Sequence, residues 1–198
     1  MHRSVDSADG RAYTYAKFEP AYARGVYACF EQPDLKAEFT FHVTAPAHWT
    51  VLSNQPAPVP QPPGDGRAVW HFPATPPLPT YNTTVVAGEY HVVLASHTTP
   101  GGQPVPLELA CRASLADYLD PAAIFELTGR GLDFFTGLFA AGYPFAKYGQ
   151  VFVPEFSAGA TEDAGCVLIS EQFLCQGRVG SQAARRLCGQ GQLLRRYR

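Results

Sequence analysis

Apolar and polar residues alternate along several short segments in the first half of the chain. In the segment KAEFTFHVTAP, the large apolar residues are Phe39, Phe41 and Val43. Thr40 and His42 lie between them and therefore point to the opposite face of an extended chain. A period of two is typical of a strand with one buried face, so the pattern predicts a half-buried strand here.

Similar alternation occurs in HWTVLSN, GRAVWHFPATPPL, TTVVAGEYHVVLAS and PVPLELACRAS. The proline- and glycine-rich segment QPAPVPQPPGDG separates two of these predicted strands. Because proline cannot donate a backbone hydrogen bond to a neighbouring strand, we expect this segment to be a surface loop. Up to about Ser114, the sequence predicts an antiparallel β domain.

The pattern changes after this domain. Asp120 is a favourable N-cap and Pro121 suits the first helical position, so a helix is predicted to begin here. Apolar residues then recur at helical spacing, namely Ile124, Leu127, Leu132, Phe135 and Leu138 or Phe139. The segment YPFAKYGQVFVPEF predicts a loop followed by a strand. The expected fold class is therefore α+β, mostly β, with a boundary near residue 110.

Composition and charge exclude several classes of function. Apolar residues make up 46% of the chain, which is enough for a hydrophobic core, and the net charge of −2 gives no basic footprint for nucleic acid. Six arginines and no acidic residue follow Glu171, where we expect a solvated basic tail. No apolar run approaches the length of a membrane span, and the N-terminus is polar, so we expect a cytoplasmic protein without nucleic-acid or membrane partners.

The cysteines support the same compartment. They are odd in number, widely spaced and contain no CxxC pair. They are Cys29, Cys111, Cys166, Cys175 and Cys188. A disulfide framework or a structural zinc knuckle would need closer or paired spacing, so we expect buried free thiols in a reducing compartment.

Two long segments carry a resemblance to a known family. FEPAYARGVYACFEQPDLKAEFTFHVTAPAHWTVLSN and YPFAKYGQVFVPEFSAGATEDAGCV resemble the aminopeptidase N family of zinc metallopeptidases. The resemblance implies that residues 1–110 are part of the family's N-terminal β domain. It implies that residues 111–176 begin its thermolysin-like catalytic domain, and residues 177–198 form a divergent basic tail. Within the first segment, Cys29 and Phe30 are expected in the core.

The segment GATED, residues 159–163, stands where this family has its GAMEN exopeptidase signature. The resemblance implies that Glu162 binds the protonated α-amine of a peptide, since a carboxylate is a natural acceptor for an ammonium group. It assigns the same role to Glu19 in the AKFE segment. Gly159 and Ala160 lack bulk, so a peptide backbone has room to pair with this segment. The ordinary alternative for both glutamates is a solvated carboxylate.

Three positions depart from the family pattern near these glutamates. Thr161 and Asp163 replace the Met and Asn of the signature, and Lys17 replaces a Gln. We expect Asp163 to make ionisation more costly beside Glu162. We expect Lys17 to compete with a substrate ammonium for Glu19.

The family's zinc-binding motif HExxH is absent from the sequence, although the family uses zinc. The histidines are His2, His42, His48, His71, His91 and His97, and none is followed by Glu or has a second His four positions away. We therefore expect neither a catalytic metal nor a cofactor in this chain.

The sequence therefore predicts a truncated fragment of a zinc aminopeptidase that retains an amine-recognition segment and is inactive alone. Two alternatives remain open: a non-catalytic module that binds peptide N-termini, and half of an enzyme that another chain completes. Truncation would expose strand edges and apolar faces, so self-association through them is also expected.

Overall fold

A computed structural model describes residues 1–176 of the 198-residue chain. The eleven strands in this part are β1 His2–Val5, β2 Ala12–Tyr15, β3 His42–Pro46, β4 Thr50–Ser53, β5 Gln61–Gly64, β6 Arg67–His71, β7 Val85–Gly88, β8 Tyr90–Thr98, β9 Pro104–Arg112, β10 Tyr148–Val153 and β11 Cys166–Ser170. The α-helices are α1 Pro121–Phe139 and α2 Gln172–Gln176, with short 3₁₀ turns at Ala23–Gly25, Thr80–Asn82 and Ala113–Tyr118. The predicted mostly-β fold class is confirmed.

The strands form three sheets. The first has the order β1-β2-β7-β4 and the third has the order β3-β6-β5, and both are antiparallel. The second has the order β11-β10-β9-β8, in which β10 runs parallel to both β9 and β11 while β8 and β9 are antiparallel. Strands from before and after residue 110 belong to this second sheet. The domain boundary expected near residue 110 stays a prediction.

One continuous core joins the first and second sheets. Tyr13 and Val86 from the first sheet are fully buried with Val151 and Leu168 from the second. Because this cluster includes strands from early and late parts of the sequence, the two sheets bury their apolar faces against each other.

The third sheet shows the alternation that its sequence predicts. Phe41 and Val43 face a core that contains Trp70, whereas His42 is exposed. The expectation of a loop throughout QPAPVPQPPGDG was wrong in part, because Gln61–Gly64 pairs with β6 as a fully exposed edge strand. Proline is tolerated at such an edge, where its missing N–H can face solvent.

Helix α1 begins as predicted, because the Asp120 side chain accepts a hydrogen bond from Ala123 N at 3.2 Å. The helix packs on β8, where His97 contacts Asp133 at 2.6 Å. Its spacing predicted the helix correctly but not which residues are buried. Leu132 is buried, whereas four of the predicted apolar positions are exposed within residues 1–176: Leu127, Phe135, Leu138 and Phe139.

Two further expectations concern single residues. Phe30 is 88% exposed, so its expected place in the core was wrong, while Cys29 is half-buried. Cys111 and Cys166 are buried free thiols. Cys175 and Cys188, like the expected basic tail, lie outside the described side chains. No helix within residues 1–176 combines the length and apolar character that crossing a membrane requires.

Candidate functional site

The GATED segment lies against the outer edge of the second sheet. Ala160 bridges Ile169 of β11 in the antiparallel sense. On either side, Gly159 O accepts a hydrogen bond from Ser170 N at 2.9 Å, and Thr161 N donates to Leu168 O at 2.9 Å. Since peptide groups alternate in direction along an antiparallel pair, the N–H and C=O of Ala160 face away from β11. The backbone N–H and C=O of Ala160 therefore point outward from the edge of the sheet, where Ala160 is exposed.

Side chains within the segment fold it into a tight turn. Thr161 Oγ1 donates to Asp163 Oδ2 at 2.8 Å and accepts from Leu168 N at 3.1 Å. Gly165 completes the turn with φ +72°, and a Cβ there would lie 2.2 Å from the backbone O of Asn54. A glycine is therefore required at this position for both its conformation and its close approach.

Two asparagines from the first half of the chain hold this turn. Asn82 Nδ2 donates to the carbonyl of Glu162 at 2.9 Å, and Asn82 Oδ1 accepts from Ala164 N at 2.9 Å. Asn54 Nδ2 donates to the carbonyls of Asn82 and Ala164 at 2.9 and 2.8 Å, while its Oδ1 accepts from Thr84 N at 2.9 Å. Both side chains are buried, so the bonds are shielded from competing water.

A buried ion pair supports the end of the turn. Lys147 Nζ binds Glu108 Oε1 at 2.9 Å and donates to the carbonyl of Gly165 at 2.8 Å. Gly149 N also donates to that carbonyl, at 3.0 Å. The turn is thus attached to β9 and β10 as well as to the two asparagines.

The turn places Glu162 beside Glu19. Both line a pocket of about 490 Å³ together with Lys17, Pro20, Pro33 and Tyr81. The Glu162 side chain is exposed and Glu19 is half-buried. The two residues that the resemblance assigns to amine recognition therefore meet in one pocket, although they lie far apart in the sequence.

The two carboxyl groups interact directly. Burial raises the pKa of Glu19, and the charge of Glu162 and a side-chain hydrogen bond with Glu162 raise this pKa further, while Lys17 acts in the opposite direction. Two neighbouring carboxyl groups share a proton or attract a cation. The pocket is therefore suited to a cationic guest.

Asp163 lies beneath this pair and is only 3% exposed. Burial raises its pKa to about 7, and the charges of Glu19 and Glu162 contribute in the same direction. The Thr161 hydrogen bond and Lys17 oppose the shift. The sequence predicted repulsion between carboxylates here, but the larger cause is desolvation.

Lys17 differs from its expected position. Its Nζ lies 5.2 Å from the centroid of the Phe156 ring, in a cation–π arrangement. Within residues 1–176, no ion pair of 4 Å or less joins Lys17 to Glu19. The charge of Lys17 nevertheless lowers the pKa of Glu19, so competition of Lys17 with a substrate ammonium stays a prediction.

Sequence reasoning missed Asn54, Asn82 and Tyr81 as site residues. Asn82 contacts Glu162 across 80 positions of sequence, and no local pattern signals such a contact. Gly159 and Ala160 are exposed. The functional roles of all six candidate residues, Lys17, Glu19, Gly159, Ala160, Glu162 and Asp163, stay predictions.

Within residues 1–176, no group of three or more His, Cys, Asp or Glu side chains is arranged to hold a metal ion. The donor set of this segment therefore does not fit a zinc centre of the catalytic kind, which uses three protein ligands.

Comparison with protein families identifies both parts of the fold. Residues 4–82 match the Peptidase M1 N-terminal domain, and residues 124–187 match the Peptidase family M1 domain. The first match includes strands β2 to β6, and the second contains the turn with Glu162. The chain thus contains a region that matches the N-terminal domain of M1 peptidases, followed by a region that matches the M1 domain.

Individual relatives specify the family. The chain is 49% identical to aminopeptidase N of Streptomyces lividans over 92% of its length. It is 30% identical to aminopeptidase M1 of Arabidopsis thaliana over 93% of its length, and 30% identical to human aminopeptidase N over 85%. It belongs to the aminopeptidase N family of M1 peptidases. The chain spans 21%, 20% and 17% of the length of these three relatives, respectively.

Proposed function

We propose that this segment recognises the protonated N-terminal amine of a peptide, as part of a site of the aminopeptidase type. The observation that carries the proposal is the convergence of Glu19 and Glu162 in one pocket. An ammonium group placed between them would donate charge-assisted hydrogen bonds to both carboxylates. It would also replace the proton that their mutual repulsion favours.

The edge at Ala160 supports the same proposal. A peptide whose amine lies between the glutamates can extend along this edge and pair with the outward N–H and C=O of Ala160. Backbone pairing of this kind does not depend on the peptide's side chains. The segment would therefore select a free N-terminus first and a particular residue type only weakly.

The proposal excludes hydrolysis by this chain alone. Cleavage of an amide at neutral pH needs an activated nucleophile, and the family uses zinc for this purpose. The sequence has no HExxH, and residues 1–176 lack a three-ligand metal group. We assign no catalytic step to the present residues and expect no turnover of an aminoacyl reporter substrate.

A titration with matched peptides tests the proposal. Alanyl-alanine amide with a free amine should bind on the order of millimolar, since partly exposed carboxylates contribute little each. The acetylated peptide should not bind. Glu162→Gln should weaken binding of the free amine several-fold, whereas Glu126→Gln, which removes an exposed carboxylate on α1, should have no effect.

The pH dependence gives an independent check. Because the pKa of Glu19 is raised, amine binding should strengthen as pH rises through that pKa and the shared proton leaves. It should weaken again above about pH 8, where the peptide amine itself loses its charge. Equal binding of acetylated and free peptide, or no effect of Glu162→Gln, would show that Glu162 is only a loop carboxylate.

A further inference from the structure

Two histidines face each other on the exposed side of the third sheet. The register of β3 and β6 pairs His42 directly with His71. Their Nδ1 atoms are 2.7 Å apart, and the ring centroids are 4.7 Å apart with an interplanar angle of 65°. Both residues are exposed, so an ion from solvent reaches them without opening the fold.

The backbone beneath the pair is held in place from the other face of the sheet. Val43 and Trp70, which are neighbours of the two histidines in sequence, pack into the core cluster of this sheet. Phe72 N also donates to the carbonyl of Phe41 at 2.9 Å, which extends the ladder beyond the histidines. The two imidazoles are therefore presented by a fixed strand pair, and only their ring rotations need to adjust.

The contact between the two nitrogens requires a shared proton. One imidazole donates through Nδ1 and the other accepts, since each neutral ring carries one N–H and one lone pair. When a metal ion binds both Nδ1 lone pairs, the donor ring loses its Nδ1 proton to solvent and gains one at Nε2, so both rings stay neutral. The two Nδ1 atoms point at each other in this hydrogen bond, so both rings must rotate for their lone pairs to converge on one ion.

We propose that His42 and His71 form a two-histidine site for a divalent transition metal, with a preference for Ni²⁺ or Cu²⁺ over Zn²⁺. At metal–nitrogen distances of about 2.0–2.1 Å, the 90° angle of square-planar or octahedral coordination separates two ligands by about 2.9 Å. A tetrahedral angle separates them by about 3.4 Å, which is the geometry that zinc favours. The hydrogen-bonded separation of 2.7 Å must lengthen in either case, and the change to the first value is the smaller one.

Water completes the coordination in this site. Residues 1–176 offer no third His, Cys, Asp or Glu at the pair, so the site differs from a catalytic zinc centre in its ligand number as well as its geometry. It lies in the third sheet, and the glutamate pocket uses neither histidine. It is therefore independent of the proposed amine recognition.

Titration of the metal-free, full-length chain with NiCl₂ tests this site. We expect one Ni²⁺ to bind, and ZnCl₂ to bind more weakly. His42→Gln and His71→Gln should each weaken Ni²⁺ binding by about tenfold or more, because the second imidazole no longer acts at high effective concentration. His91→Gln, which changes an exposed histidine on β8, should leave the affinity unchanged.

An NMR titration of the unaltered chain makes the test independent of how the variants fold. Paramagnetic Ni²⁺ should broaden the ring signals of His42 and His71 before those of His91 and His97. Broadening of all four at the same metal concentration would overturn the proposal, as would unchanged Ni²⁺ affinity in His42→Gln. Tighter binding of Zn²⁺ than of Ni²⁺ would overturn the proposed coordination geometry.

Discussion

The side-chain amide of Asn82 holds the backbone of Glu162 by donating to its carbonyl at 2.9 Å. The same amide accepts a hydrogen bond from Ala164 N, so it binds the turn on both sides of Asp163. Asn82 comes from the region that matches the N-terminal domain, whereas Glu162 lies in the region that matches the peptidase domain. One amide thus connects the two parts of the chain at the point where the two glutamates meet.

Replacing Asn82 with Leu should remove this connection between the two parts of the chain. The change leaves the Glu162 carbonyl and the Ala164 N–H without their partner, which should lower the free energy of unfolding by roughly 1–3 kcal/mol. It should also weaken binding of free-amine peptides several-fold, because Glu162 is no longer held opposite Glu19. Urea unfolding and peptide titration measure the two effects.

Gln55→Met is the matched control for this change. Gln55 is also a buried amide, and its Nε2 donates to the carbonyl of Ala74 at 2.8 Å, outside the turn. The Gln55→Met variant should be less stable than the wild type but should retain binding of free-amine peptides. If both variants lose amine binding to the same extent, Asn82 acts only through general stability.

Local patterns predicted most of the secondary structure. The alternation in β3 and the Asp120–Pro121 start of α1 depend on neighbouring residues, so the sequence reveals them directly. The edge strand β5 was missed because its proline-rich segment has no strand pattern, and only its partner β6 makes it extended. Helical spacing likewise indicates a helix without showing which neighbour covers each face, which is why Phe135 is exposed.

The site was predictable only where a resemblance supplied it. Composition and periodicity do not bring Glu19 near Glu162, since the two are 143 positions apart and meet through packing of separate sheets. Lys17, which replaces the family's Gln, was expected to compete for Glu19, but no local pattern indicated that its Nζ would lie over the Phe156 ring. Contacts of this kind depend on tertiary packing and are absent from any local window of sequence.

Asp163→Asn should increase stability in a pH-dependent manner. Burial raises the pKa of Asp163 from 3.8 to about 7, so the folded state retains a proton that the unfolded state loses. Between about pH 4 and pH 7, ionisation therefore favours the unfolded chain, and stability falls as pH rises. Asn has no such cost, and its Oδ1 still accepts from the Thr161 hydroxyl.

Urea unfolding at several pH values checks this prediction. The variant should exceed the wild type by a few kcal/mol at most at pH 8, and the difference should shrink towards zero near pH 4. Asp117→Asn, which alters an exposed carboxylate, should show no comparable slope. A constant difference between Asp163→Asn and the wild type at all pH values would mean that ionisation of Asp163 does not destabilise the fold.

Two glycines on either side of Glu162, Gly159 and Gly165, should respond differently to substitution by alanine. A Cβ on Gly159 would lie 3.8 Å from the Phe173 ring, which is an ordinary contact, so Gly159→Ala should change stability by less than about 1 kcal/mol. A Cβ on Gly165 would lie 2.2 Å from the Asn54 carbonyl oxygen at a φ of +72°. Gly165→Ala should therefore destabilise the fold by about 2 kcal/mol or more, because backbone must move as well as adopt a strained conformation.

Peptide binding then distinguishes a structural from a functional need for glycine. If a peptide approaches the Ala160 edge closely, the extra methyl group of Gly159→Ala should weaken binding of the free-amine peptide several-fold while the fold stays intact. Thermal unfolding and the amine titration, made on the same sample, measure both quantities. Unchanged binding by a stable Gly159→Ala variant would show that the peptide does not approach this glycine, and would place its backbone elsewhere in the pocket.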